Sequence, residues 1–427
     1  MNPIHHSINY FFEQLLEVLG VLLLRNRLVL VGNSKLTSNA IMKTRGHKVD
    51  ITKLDFNDET ILAGLKPWAL CESPSYDPSA VNRMQDLAAH DLAVMGASIE
   101  RITPHQSIGD CVRARFNHTK PDQPGILILG HMDTVHPLGT LAHLPVKRDG
   151  NLCYGPGICD MKGGNYLMLE AIRQLHRIGA EPPLPITILF TSDEEIGSPH
   201  TRSLIESEAS RAKAVLVPEP ARKGNGVTSG RYAVARYDIT TYGRPSHAGL
   251  RLNDGRSAIR KMATHVLDIE AMTSDNCTFS VGVMNAGKWV NCVSSKATAE
   301  VLSMSKQQQD LDKGVEKMLS FNDANGDVVT EVTLGLTRPV WTASEKDLKL
   351  VDLANQLASQ LDQPFHHESS GGGSDGNFTG AMGIPTLDGL GVAGDKYHTL
   401  EEHIEIDSLS VRGKMMAGLL MGIDQNL

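Results

Sequence analysis

Ile126-Leu127-Ile128-Leu129-Gly130-His131-Met132-Asp133 is an apolar run that stops abruptly at a histidine and an aspartate. Short runs without polar alternation predict strands covered on both faces, as in a buried, mostly parallel sheet. Similar runs fall at 111–116, 185–191 and 214–217. Helical spacing fills the gaps between them. Val81, Met84, Leu87, Leu92 and Met95 mark a helix over 78–97, and Leu167, Met168, Ala171, Ile172 and Leu175 mark another over 162–178, with Gly179 as its stop. Alternating strands and helices imply an α/β domain. In open sheets of this kind, ligands gather beyond the carboxyl ends of the strands.

The polar residues fall where that rule places them. After His131 and Asp133 come Asp160, then Asp193-Glu194-Glu195, then Glu219, and near the C-terminus His398. The candidates up to Glu219 are expected just after strands of the sheet. Two imidazoles and several carboxylates suffice for two divalent cations and leave one carboxylate to handle a proton. Imidazole and carboxylate donors suit zinc, and a bridging carboxylate such as Asp160 holds two metals about 3.5–4 Å apart. Burying so many carboxylates without cations would be costly. A single H-x-D is weak, and either glutamate of Glu194-Glu195 taken alone fits a helix start favoured by the dipole. Recurrence at five places in one domain tips the balance. Adjacent carboxylates point in different directions, so one can ligate a metal while its neighbour faces water.

Bulk composition bounds the alternatives. A chain of 427 residues is longer than one core usually supports, so two domains are expected. It carries 41% hydrophobic and 21% charged residues, as soluble globular proteins do. The net charge of −8 and the lack of a basic run argue against a nucleic-acid partner. None of the six cysteines forms a C-x-x-C pair, so reduced thiols are expected. Cys159, beside Asp160, is set aside as a ligand because histidines and carboxylates already fill the shell. The apolar stretch 15–31 is interrupted by Glu17, Arg25 and Arg27 and is too short to span a membrane. Residues 1–41 are expected to be a poorly structured extension. Met42 and the basic stretch after it look like the start of a cytosolic enzyme.

The pattern changes at about Arg231. Strands at 231–241, 278–285, 297–304 and 328–334 with helices at 255–272 and 307–319 predict an α+β sandwich. After Arg338-Pro339, a helix at 345–361 and a strand-like 386–390 return to the first style. The expected organisation is therefore a main domain of 42–230 and 338–427, with a smaller domain of 231–337 inserted. Ser369-Ser370-Gly371-Gly372-Gly373-Ser374 is expected to be a loop.

The runs Gly130-His131-Met132-Asp133-Thr134-Val135, Gly155-Pro156-Gly157-Ile158-Cys159-Asp160-Met161-Lys162-Gly163-Gly164, Glu194-Glu195-Ile196-Gly197-Ser198 and Gly243-Arg244-Pro245-Ser246-His247-Ala248-Gly249 resemble one family. It is the dinuclear-zinc peptidase family of glutamate carboxypeptidase, acetylornithine deacetylase, succinyl-diaminopimelate desuccinylase and aminoacylase. The resemblance covers about Asp50 to the C-terminus and makes the inserted domain a lid and dimerisation domain. It implies that His131 and Glu219 bind one zinc, that Glu195 and His398 bind the other, and that Asp160 bridges them; cobalt and manganese are alternatives. Glu194 becomes the general base and later acid, and Asp133 orients His131. A cis peptide is implied at Asp160–Met161. His247 would reach a partner subunit's site, which implies a homodimer, although composition alone reads it as a turn histidine. Asn291 matches a substrate-contacting lid asparagine. Arg338 matches an arginine that grips a substrate carboxylate, and Gly372 and Ser374 belong to a backbone-rich substrate-binding turn.

One departure stands out. Carboxypeptidase-type members carry a further lid arginine where this chain reads Ala299-Glu300-Val301-Leu302-Ser303-Met304. The leading expectation is hydrolysis of an amide or peptide bond next to a C-terminal residue with a free carboxylate. A deacylase of N-acyl amino acids, a dipeptidase and an inactive binding protein are the alternatives. The substrate is a small molecule or short peptide, with no membrane partner.

Overall fold

The computed structural model describes residues 49–427, so the expected extension over 1–41 lies outside the described residues. In chain order the elements begin with α1 (Asp58–Ala69), α2 (Pro78–Val94), β1 (Ser98–Ile102), β2 (Cys111–Arg115), β3 (Gly125–His131), β4 (Lys147–Asp149), β5 (Leu152–Tyr154), α3 (Gly163–Arg177), β6 (Ile186–Thr191), α4 (Arg202–Ala209), β7 (Ala212–Leu216) and β8 (Val227–Arg231). Then come β9 (Ala233–Tyr242), α5 (Ala258–Glu270), β10 (Cys277–Ala286), β11 (Lys296–Ser305), α6 (Gln308–Leu319) and β12 (Val329–Arg338). The chain closes with α7 (Glu345–Gln360), β13 (His367–Ser370), α8 (Gly376–Ala381), β14 (Thr386–Leu387), β15 (Gly394–Asp395), β16 (His403–Glu405) and α9 (Ser408–Asn426).

The main sheet has the order β1-β2-β6-β3-β7-β14. Strands β6, β3, β7 and β14 pair in parallel, while β1 and β2 add an antiparallel edge. Side chains alternate across β3. Ile126 and Ile128 join a core with α1, α2, α3, α7 and α9, whereas Leu127 and Leu129 face α4 and α8. Both faces are thus covered, which is why the strand reads as a continuous apolar run. Each fully buried Ile or Leu contributes roughly 1.5–3 kcal/mol. Helix starts are set by side-chain caps: Asn57 and Asp77 accept from the backbone of Thr60 and Ala80, and Ser344 with Asp347 forms a capping box.

The second sheet, β10-β11-β9-β12, is antiparallel throughout. Ala233, Ala235, Tyr237 and Ile239 of β9 pack with Met262 of α5 and Leu311 of α6 into a separate core. Intervening positions such as Arg236 and Asp238 are exposed on the opposite face. Arg231 falls outside this sheet: it ends β8, which pairs with β13. Ser369 and Ser370 therefore lie in a strand, where a loop was expected. Their polarity hides the pairing, which β8 imposes from far away in sequence.

A further sheet of very short strands, β15-β16-β5-β4, ties the C-terminal segment to the loop that carries Asp160. Among the described residues, no helix is long and apolar enough to cross a membrane.

Candidate active site

Three carboxyl ends of the main sheet converge. His131 is the last residue of β3, Glu194 and Glu195 follow β6, and Glu219 follows β7. Asp160 departs from the expected rule: it sits in the tight turn Ile158–Lys162 before α3, reached from the small sheet and not from the main one. The Asp160–Met161 peptide is cis. Close approach holds α3 against the sheet. A Cβ on Gly164 would lie 1.9 Å from the carbonyl oxygen of Pro218, the residue before Glu219. Asn165, one residue along, donates to the carbonyl of His131 at 2.7 Å.

Asp160 stands between the two histidines. Its Oδ1 is 3.2 Å from His131 Nε2 and its Oδ2 is 3.1 Å from His398 Nε2. His398 also lies 3.2 Å from Glu195 Oε2. On the other side, His131 Nε2 lies 3.8 Å from Glu219 Oε1 and 3.9 Å from Glu194 Oε2. His131, Glu194 and Glu219 form one metal-competent triad, and His131, Asp160 and Glu195 a second, each with donor atoms within 4.8 Å of one another. His398 takes a left-handed backbone, φ 66°, to aim its ring inward; such a conformation is costly for a residue with a Cβ and concentrates at functional sites.

The electrostatics fit a cation-binding set. Burial pushes the Glu195 carboxyl up to about 8, and the charge of Asp160 adds to the effect. Burial and Asp160 likewise hold Glu219 well above its ordinary range. Burial raises Glu194, with Arg338 opposing. Burial works against the charged form of Asp160, but hydrogen bonds from His131 and His398 outweigh it and hold the carboxyl low. The same bonds to Asp160 and then Glu195 raise His398 to about 11. Glu195 Oε1 is buried with no hydrogen-bond partner among the described residues. An orphaned oxygen among crowded carboxylates is what a divalent cation would satisfy. The residues present therefore fit two metal ions.

Asp133 does more than was expected. The nearest acceptor for His131 Nδ1 is the backbone carbonyl of Asp133 at 2.9 Å, with its carboxylate at 3.5 Å. That carboxylate also accepts from the backbone of Glu194 and Glu195, both at 3.2 Å, and from Ser75 Oγ at 2.6 Å. It therefore fixes the histidine and both glutamates together.

Other expected residues are placed differently. Arg338 is buried, with Nη2 2.8 Å from Glu194 Oε1 and Nη1 3.1 Å from Asp375 Oδ1, so its fork already holds two carboxylates. Gly372 lines the cleft. Ser374 is fully buried, and its Oγ donates to Asp388 at 2.6 Å, bracing the turn. His247 and Asn291 are brought together, since Ala248 N donates to Asn291 O, but neither lines the cleft of this chain. Cys159 packs into the main core, where burial keeps its thiol protonated. All six cysteines are free.

Glu402 was missed. One oxygen accepts from the backbone of Cys159 and Asp160 at 2.8 and 3.1 Å; the other contacts Gly157 N at 3.0 Å and His136 Nε2 at 2.6 Å. It cradles the turn that presents Asp160. A period-two pattern was its only signal: Glu402, Ile404 and Ile406 are buried, while Glu401 and Glu405 are exposed.

These elements enclose a cleft of about 360 Å³ between the metal-competent residues and the second sheet, a size suited to small molecules. The sequence profile of the Peptidase family M20/M25/M40 matches residues 127–422. Carboxypeptidase G2 of Pseudomonas sp. (strain RS-16) is 33% identical over 309 residues, covering 70% of this chain and 74% of that protein. Succinyl-diaminopimelate desuccinylase of Halorhodospira halophila is 24% identical over 363 residues, covering 80% and 92%. Among solved structures, a tripeptidase from Staphylococcus aureus superposes with a TM-score of 0.71 at 21% identity, covering 86% of this chain and 99% of that one.

Proposed function

The chain belongs to the Peptidase family M20/M25/M40, a hydrolase of peptide or amide bonds, and from that premise we propose a zinc-dependent reaction that releases an amino acid with a free carboxylate. The observation that carries the reading is the placement of the two Asp160 oxygens, 3.2 and 3.1 Å from the two histidines. His131 and Glu219 would hold one metal and Glu195 and His398 the other, with Asp160 placed between the two pairs. When bound, the metals supply the Lewis acidity that makes water a nucleophile near neutral pH.

Everything else is done by the chain. Glu194 lies beside the ligand set but is tethered to Arg338, so it takes the proton from the attacking water and returns it to the leaving amine. Arg338 aims that carboxylate. Asp133 keeps His131 and the Glu194-Glu195 turn in register. The turn at Gly372 and Ser374 borders the substrate with glycine backbone. Residues 49–231 and 338–427 form the catalytic domain, and 233–337 the lid.

His247 and Asn291 complete the site of a second subunit, with His247 polarising the scissile carbonyl and Asn291 contacting substrate. Support comes from the surface around them. The edge strand β10 exposes Val283 and Met284, and the adjoining loop exposes Trp289 at 74% and Val290 fully. An uncovered sheet edge beside apolar side chains favours pairing with another copy. The homodimer is assigned to the cytoplasm, in keeping with reduced cysteines.

Similarity to carboxypeptidase G2 favours release of a C-terminal residue, and the resemblance of the sequence motifs to glutamate carboxypeptidase makes glutamate the first candidate. The desuccinylase similarity keeps an N-acyl amino acid deacylase as the second reading. The test is a zinc-supplemented assay of amino-acid release from N-acyl-glutamates, other N-acyl amino acids and dipeptides, with and without chelator, alongside metal content. Chelator-sensitive glutamate release with about two metals per chain is expected. Release of another amino acid would move the protein to the deacylase branch, and release insensitive to chelation would refute the metal mechanism.

A further inference from the structure

Four arginines line the cleft, and three are engaged. Arg231 Nε donates to Asp388 at 2.6 Å, Arg338 holds Glu194 and Asp375, and Arg222 donates to Ser370 Oγ and the Pro220 carbonyl, both at 3.3 Å. The fourth, Arg236, makes no ion pair or side-chain hydrogen bond among the described residues. An unpaired surface arginine is ordinarily just solvated. This one projects from a strand into a concave site.

Its position follows from strand alternation. Ala235 and Tyr237 of β9 are buried in the second core, so Arg236 points to the opposite face, toward the cleft. Its direct antiparallel partner is Leu302, and the adjacent pair is Val234 with Met304. Directly opposed residues share a face of the sheet. Among the described residues, Arg236 is thus the lone cation on an apolar wall of Val234, Leu302, Met304 and Leu336, facing the candidate metal ligands across the cleft. Leu302 itself lies in the strand where the lid arginine expected from sequence is missing.

We propose that Arg236 is the specificity-determining residue: its guanidinium binds the free carboxylate of the amino acid to be released, supplied from the strand next to the one that lacks it. The proposal rests on the reading of this cleft as a site of amide hydrolysis. A guanidinium suits the task, because its planar fork pairs both oxygens of a carboxylate at once. The apolar wall weakens competition from water and strengthens that pairing. The substrate class is an N-acyl amino acid or short peptide with an unblocked C-terminal carboxylate.

The test compares Arg236→Ala, Arg236→Lys, Arg236→Leu and the exchanged pair Arg236→Leu with Leu302→Arg against wild type. Each is assayed on an N-acyl-L-glutamate and on the same compound with its α-carboxylate converted to a carboxamide. Arg236→Ala should raise KM for the free acid about 10–100-fold, the loss of a charge-assisted hydrogen bond, while changing kcat little and the carboxamide little. Arg236→Lys should recover only part, and the exchanged pair should recover more than Arg236→Leu alone. Equal losses on acid and carboxamide, or an unchanged KM, would overturn the assignment. If wild type cleaves neither compound, the proposed reaction has failed, and calorimetry with the N-acyl-glutamate then judges Arg236 separately. Binding weakened by Arg236→Ala supports the proposal; equal or absent binding overturns it.

Discussion

Arg338 Nη2 donates to Glu194 Oε1 at 2.8 Å, so the guanidinium read from sequence as a substrate grip also restrains the carboxylate read as the base. The same side chain reaches Asp375, and all three residues are largely buried. Removing the cation strands two carboxylates. Arg338→Ala is expected to lower stability by about 3–5 kcal/mol, as for a broken buried pair, and to lower kcat more than it raises KM. Arg338→Lys should restore part of the stability and little of kcat, because one ammonium cannot span both partners. Thermal unfolding and steady-state kinetics check this; a pure KM effect in a stable variant would return Arg338 to substrate binding.

Glu402 acts on the candidate metal ligand Asp160 through backbone. Glu402→Gln keeps the volume but replaces one acceptor oxygen by a donor, against backbone N–H groups of Gly157, Cys159 and Asp160. The turn bearing Asp160 should loosen. Metal affinity is expected to fall about 10–100-fold, the usual cost of losing support behind a ligand. Competition with a chromogenic chelator measures it, and unchanged affinity would make Glu402 a folding residue only.

Gly164 tests the fold that places the site. An added Cβ would come within 1.9 Å of the Pro218 carbonyl, a backbone atom that cannot swing away. Gly164→Ala is therefore expected to destabilise by at least 1–3 kcal/mol, the ordinary range for overpacking, and to displace Glu219 relative to His131. Denaturant unfolding and metal stoichiometry report the two effects; wild-type values for both would show that the contact relaxes freely.

His247 and Glu194 offer a test of subunit sharing. His247 is exposed and absent from the cleft lining of its own chain. Mixed dimers of His247→Ala and Glu194→Gln subunits should regain activity that neither homodimer has, since one of the two sites then holds both residues. Verified mixed dimers without recovery would place His247 outside the reaction.

Much of this was legible in sequence. Apolar runs located β3, β6 and β7 because burial on both faces leaves no room for polar side chains, and the candidate ligands at their ends followed. The second sheet was legible from its longer strands and the helices between them, although only one of its faces is packed. Strands of two or three residues, such as β15 and β16, carry too little pattern to be read. So the support behind Asp160 and the presentation of His398 went unseen. Ser374 sits in a run that reads as exposed loop, yet it is buried against Asp388. Arg236 was overlooked because strand register, not composition, sets it opposite Leu302.

The central claim is that Glu194 moves the proton while its neighbours hold the metals. Glu194→Gln, purified with zinc, should retain about two metals per chain by elemental analysis and lose at least ~100-fold in kcat, the scale of general acid–base catalysis. Full turnover with both metals bound would contradict it.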